Sequence, residues 1–239
     1  MRFKLPILTG VLLRRYKRFF ADVRLDDGRE VIAHCPNTGS MTTCSEPGRP
    51  VMLSYHGEDC GRKLFYTLEA IQMGAGSRSW VGVNTMNPNR AVAEAIDGGK
   101  IPEFHGYSEL RREVAYGRNS RVDLHLSGHA QRPEECLIEI KNTTMRVGGG
   151  ALFPDAVTER GLKHVQELVR AARSGRRAAF LFFVGRGDCE WMGVAEDIDP
   201  AYAKALRHAV KNGGVEAYAY RARISRTGIV IEKRLPIQL

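Results

Sequence analysis

Apolar and polar positions follow two different rhythms along this chain. In the first third, residues 18–25, 30–34, 51–55 and 63–71 read as short strands. Asp26-Asp27-Gly28 joins the first two as a hairpin, and residues 47–50 form a second turn with Pro at each end. Short strands spaced by Gly and Pro predict a small barrel or sandwich. The rhythm changes near Asn87. Asn87 suits a helix cap, Pro88 suits the first turn, Val92 and Ile96 share one face, and Gly98-Gly99 marks the stop. A domain boundary is therefore expected at residues 84–87. Strands are predicted over 110–116, 121–126 and 136–143. A helix follows over 158–173, with Leu162, Val165, Leu168, Val169 and Ala172 as its apolar stripe and Gly175 as its stop. Residues 178–184 are nearly all apolar, the pattern of a parallel strand covered on both faces. Asp199-Pro200 caps a last helix that ends at Asn212-Gly213, and strands over 215–224 and 229–235 close the chain.

Two of these strands carry candidate chemistry. Side chains two apart on a strand share a face. Glu139 and Lys141 then point one way, and Ile138 and Ile140 point into the core. Arg121, Asp123 and His125 likewise oppose Val122, Leu124 and Leu126. If the two strands pair, two carboxylates and a lysine converge on one sheet edge. Carboxylate oxygens suit Mg²⁺ or Mn²⁺, and a metal there polarises a phosphate. The same residue types also make an ordinary solvated strand face. Arg160 and Lys163 sit near a helix start, where free N–H groups attract anions. A solvated first turn has the same pattern.

Composition narrows the partners. Lys and Arg number 36 against 27 Asp and Glu, a net charge of +9 over 239 residues. That excess favours an anionic partner such as nucleic acid, an acidic membrane surface or a phosphorylated ligand. The five cysteines show no C-x-x-C spacing, which argues against a zinc or disulfide scaffold and for free thiols in the cytoplasm. No apolar run approaches the ~18 residues a membrane span needs. Gly148-Gly149-Gly150 reads as a flexible loop and lacks the Lys-Ser/Thr of a nucleotide phosphate loop.

Five segments together resemble one family. They are Tyr16-Lys17-Arg18-Phe19, Pro36-Asn37-Thr38-Gly39-Ser40-Met41, Ser120-Arg121-Val122-Asp123, Ile138-Glu139-Ile140-Lys141, and Phe153-Pro154-Asp155-Ala156-Val157-Thr158-Glu159-Arg160-Gly161. In this order, across essentially the whole chain, they resemble the bacterial and archaeal sugar fermentation stimulation protein A family. The resemblance implies an α+β to α/β two-domain chain: an OB-like β-barrel over 1–84, and over 85–239 a mixed sheet flanked by helices, related to PD-(D/E)XK nucleases. It also implies DNA binding and a link to regulation of sugar (maltose) metabolism. Asp123, Glu139 and Lys141 match the nuclease motif, and Glu94 is matched to the acid such nucleases often carry on their first helix. Metal ligation is thereby expected from Asp123, Glu139 and Glu94. Residues 185–188 look looser than the polar segment expected of relatives. Arg14, Arg15, Lys17 and Arg18 interleave with Tyr16, Phe19 and Phe20, so cations can grip phosphates while rings stack bases. Arg14, Arg15, Tyr16, Lys17, Arg18, Arg160 and Lys163 are the expected DNA contacts. A metal-dependent phosphodiesterase, a DNA-binding regulator, and an enzyme acting on another phosphate or sugar compound all stay open.

Overall fold

A computed structural model describes residues 1–74, 79–116, 120–132 and 134–239. The first six strands are β1 (Ile7–Tyr16), β2 (Phe20–Leu25), β3 (Glu30–His34), β4 (Pro50–Tyr55), β5 (Tyr66–Met73) and β6 (Ser79–Gly82). They form one sheet in the order β3-β2-β1-β4-β5-β6, and a parallel β3–β5 pairing closes it into an OB-like barrel. Leu12, Val23, Leu53, Leu68 and Ile71 fill the interior. β1 was not expected, because four basic residues occupy its end and the turn beyond it. Phe19 and Phe20 both stay outside the barrel core, with Phe20 stacked on Tyr16.

The rest of the chain begins with α1 (Asn87–Asp97) and a single turn at Pro102–Phe104. There follow β7 (Tyr107–Tyr116), β8 (Ser120–His129), β9 (Cys136–Thr143), β10 (Met145–Val147) and β11 (Gly150–Phe153). α2 (Glu159–Arg173), β12 (Arg177–Val184), β13 (Trp191–Val194), α3 (Pro200–Asn212), β14 (Val215–Ser225), β15 (Gly228–Leu235) and β16 (Ile237–Gln238) complete it. The main sheet is mixed, in the order β15-β14-β12-β9-β8-β7. β12 lies parallel between β9 and β14, as its unbroken apolar run implied. α1 covers one face of this sheet, and α2 with α3 covers the other. Met52 and Ala70 of the barrel share the core under α1. Among the described residues no helix is long and apolar enough to cross a membrane.

Two local expectations need correction. Asn87 does not cap α1: Met86 holds the cap position without a side-chain bond, and the Asn87 amide donates to Glu69 Oε2 at 2.7 Å instead. Gly148-Gly149 is a tight two-residue turn between β10 and β11 rather than a flexible loop. Both glycines have positive φ, 55° and 84°, as that hairpin geometry requires. Residues 185–188 are also well tied: Arg186 is buried, forks onto Asp188 and reaches the Thr144 carbonyl.

Candidate functional site

The β8–β9 ladder pairs Leu126, His125 and Leu124 with Cys136, Leu137 and Ile138, and stops there. At the next step a side chain replaces the missing strand partner. Asp123 Oδ2 accepts the Ile140 N–H at 2.7 Å, and Oδ1 accepts Asn89 Nδ2 at 2.8 Å. Leu124 and Leu126 pack under α1, whereas Val122 packs under α2. The uniform alternation expected of β8 therefore breaks at Asp123, where the strand rolls over. Beside it the β7–β8 ladder keeps its register but lacks a pair at Glu113 and Asp123, and the Glu113 φ is 54°. The Glu113 carboxylate lies 3.0 Å from Asn89 Nδ2, so one amide holds two acids.

β9 keeps its alternation. Ile138 and Ile140 face the α1 core, and Glu139 and Lys141 face α2. This is no solvated face: Glu139 is 3% exposed and Lys141 is 9% exposed. Lys141 Nζ donates to Glu139 Oε1 at 2.9 Å, and His164 Nδ1 on α2 bonds to the same oxygen. Arg160 Nε donates to His164 Nε2 at 3.4 Å, and Lys141 Nζ lies 3.2 Å from His164 Nδ1. Glu139 Oε2 is buried with no hydrogen-bond partner among the described residues. Burial opposes a charge on Glu139, but Lys141 and His164 outweigh it and hold the carboxyl below the usual range. Asp123 is pushed the other way, up to about 6, by burial and then by the charge of Glu139. Two neighbouring acids thus differ in their hold on a proton, a frequent property of reactive sites.

These groups lie at one side of a cavity of about 540 Å³. The barrel supplies the opposite wall through Arg18 and residues 37–40. That wall is fastened at several points. The Arg15 guanidinium donates to the carbonyls of Asn37, Gly39 and Ser40. Ser40 Oγ donates to the Asp155 carbonyl at 2.6 Å, and the Met41 N–H donates to Asp155 Oδ2 at 3.1 Å. A Cβ on Gly39 would stand 2.5 Å from Asp155 Oδ2, so only glycine allows this approach. Lys17, Arg18, Met41 and Glu113 are the described non-glycine residues with left-handed backbone, and all belong to this site or the segments bracing it. Such strain persists only where the surroundings enforce it.

The structure brings Asp123, Glu139, Lys141, Arg18 and Arg160 to one cavity. It does not bring Glu94 there: that carboxylate pairs with the chain's amino terminus at 3.2 Å and with Arg90 at 3.9 Å. Lys163 lies against Glu167 at 3.8 Å. Arg14 binds Asp22 at 2.6 Å and covers the Tyr16 ring. Arg15 is spent on bracing the loop. Lys17 occupies the β1–β2 turn beside Arg18. Asn89, Asp155 and His164 belong to the site but were not singled out as site residues from the sequence. Apart from Arg160, four residues before His164, their side-chain partners lie 23 to 115 residues away, too far for local spacing to signal them.

Residues 86–228 match the family described as sugar fermentation stimulation protein RE domain, and residues 13–83 match the SfsA N-terminal OB domain. The chain belongs to the sugar fermentation stimulation protein family. It is 50% identical to a sugar fermentation stimulation protein homolog of Geobacter sulfurreducens, covering 97% of this chain and 96% of that protein. The homolog of Thermosynechococcus vestitus is 48% identical, over 94% and 92%. The solved structure of Pyrococcus furiosus SfsA in complex with Ca²⁺ is similar over 100% of this chain and 98% of that one. The identity is 26% and the TM-score 0.88.

Proposed function

We propose that this chain is a cytoplasmic DNA-binding protein that hydrolyses phosphodiester bonds with a divalent metal ion, its barrel spanning 1–84 and its nuclease-like unit 85–239. The observation that carries this reading is Glu139 Oε2. A buried carboxylate oxygen without a donor is costly, and a cation satisfies it. The all-oxygen donor set of Asp123 and Glu139 suits Mg²⁺, Mn²⁺ or Ca²⁺. Among the described residues no set of three His, Cys, Asp or Glu side chains is grouped as a metal site, so Asp123 and Glu139 would hold the ion and water would supply its remaining ligands. The Ca²⁺ complex of the similar Pyrococcus furiosus protein supports the same choice. When bound, the metal polarises the phosphate and lowers the pKa of a bound water.

The protein's own groups do the rest. Asn89 and the Ile140 N–H hold Asp123 in place, and His164 and Lys141 hold Glu139 with one oxygen turned free. Lys141 offsets negative charge as it builds on the phosphoryl oxygens. Arg18 and Arg160, from opposite walls, hold flanking phosphates.

One observation favours a second reading, a DNA-binding regulator of sugar metabolism with an idle acidic site: both Asp123 oxygens already accept protein hydrogen bonds. Labelled DNA incubated with Mg²⁺ or Mn²⁺ separates the two. Cleavage abolished by EDTA and by Lys141→Ala is expected. Binding without cleavage in either metal supports the regulator.

A further inference from the structure

Resting on that phosphodiesterase reading, we infer that the cavity takes single-stranded DNA with its bases unstacked, and not a fully paired duplex. Depth is the first argument. Glu139 and Lys141 lie almost out of solvent, and the loop at residues 37–40 stands opposite them. Arg15 and Asp155 fasten that loop, and the contact leaves no room for a side chain at Gly39. A phosphate must therefore descend between two fixed walls to reach the acids. A paired duplex is stiff over many turns and carries its phosphates on the outside of a broad cylinder. Lowering one phosphate into the cavity requires the strand to leave its partner. A single strand does this without breaking any pair.

The rim is the second argument. Phe19, Met86 and Val157 are 43%, 75% and 73% exposed, large apolar side chains presented to water. Val157 lines the cavity. Phe19 follows Arg18 on the β1–β2 turn, and its carbonyl accepts the Cys35 N–H. Pro36, next along, accepts Thr85 Oγ1, and Thr85 precedes Met86. Phe19 and Met86 thereby neighbour Arg18 and Thr85, which line the cavity. Val157 lies two residues beyond Asp155, and both line the cavity. Polar acids below, apolar surfaces at the rim, and two arginines without carboxylate partners among the described residues match one ligand chemistry. Its phosphates go inward and its unstacked base faces lie across the rim, the manner in which single strands are bound without sequence preference.

The test uses the full chain, one labelled oligonucleotide, and the same oligonucleotide fully paired, at one salt concentration. Single-turnover cleavage in Mg²⁺ and Mn²⁺ is expected to be about tenfold or more faster on the single strand. Anisotropy with Lys141→Ala is expected to show the same order of affinity. The triple variant Phe19→Ala, Met86→Ala, Val157→Ala removes only exposed side chains and is expected to lose most of the single-strand preference while duplex affinity stays unchanged. Equal or faster cleavage of the duplex overturns the inference and leaves the phosphodiesterase reading standing. Absence of cleavage on both substrates defeats that reading, and the anisotropy comparison still decides strand preference: equal or tighter duplex binding overturns it. A triple variant that keeps the full preference removes the rim from the account.

Discussion

Glu69 in the barrel and Glu139 in the mixed sheet are buried to nearly the same degree, 5% and 3% exposed, yet they are satisfied in opposite ways. Glu69 receives only neutral donors. Ser54 Oγ reaches one oxygen, and the Asn84 and Asn87 amides reach the other, which ties the end of the barrel to the start of α1. Both its oxygens have partners. Glu139 is met by a lysine and a histidine on one oxygen, and its other oxygen has no hydrogen-bond partner among the described residues. A fully satisfied buried acid is an architectural device. A buried acid with a free oxygen facing a cavity is a binding valence. Burial alone does not separate the two roles, but the count of donors does.

The largest expected difference follows from that contrast. Glu139→Gln lowers single-turnover cleavage by about 10²–10³-fold or more, because the metal-facing oxygen loses its charge. Glu69→Gln leaves cleavage within about tenfold, since its amide group can give and accept the bonds that Ser54, Asn84 and Asn87 now make. Comparable losses in both variants would falsify the division between architecture and valence. In thermal stability the order reverses. Glu69→Ala orphans two buried donors, Ser54 and Asn84, and the half-buried Asn87, and costs about 3 kcal/mol, or roughly 6–12 °C in Tm for a chain of this size. The paired change Glu139→Gln with Lys141→Met removes a buried ion pair and moves Tm by less than about 3 °C, or raises it. Differential scanning calorimetry reads both.

This contrast also marks how far the sequence could be read. The alternation of Ile138 and Ile140 against Glu139 and Lys141 is a local pattern, and the fold keeps it. So is the Asp199 cap, whose side chain accepts from the Tyr202 N–H as its spacing implied. Asp123 was legible by type but not by direction, because β8 rolls over there, where the β7–β8 ladder lacks a pair at Glu113 and Asp123. β10, β11, β13 and β16 span two to four residues each, too few to show a period. Arg15 shows the deeper limit. Within a basic and aromatic run it looks like its neighbours, and only the distant carbonyls of residues 37–40 give it a different task.

A smaller effect separates the two site acids by pH. In the metal-free protein the folded pKa of Asp123 is about 6, above its ordinary value of 3.8. Between those values the folded state holds more protons than the unfolded state, so this group's contribution to stability falls as pH rises. Asp123→Asn lacks that contribution. Its Tm in EDTA, relative to the parent chain, is expected to climb steadily from pH 4 to pH 6 and then level off. A constant offset across that range removes the raised pKa. Glu139, held low by Lys141 and His164, shifts in the opposite sense and contributes its change at lower pH.

The smallest difference lies within the barrel, between Arg14 and Arg18. Arg14 is exposed, but its guanidinium already faces Asp22 at 2.6 Å and lies over Tyr16. Arg18 lines the cavity wall and has no carboxylate partner among the described residues. A phosphate meeting Arg18 displaces a counterion, whereas one meeting Arg14 must compete with a bound carboxylate. Arg18→Ala should therefore weaken single-strand binding several-fold and reduce the salt slope, d log K against d log [salt], by about 0.7. Arg14→Ala should leave the slope within about 0.2 of the parent value, since one lost cation that contacts no phosphate releases no counterion on binding. Titrations at four salt concentrations resolve that gap. Equal reductions in slope for both variants would mean that the strand runs along the outer face of β1 and β2 before it enters the cavity, and that Asp22 yields Arg14 to it.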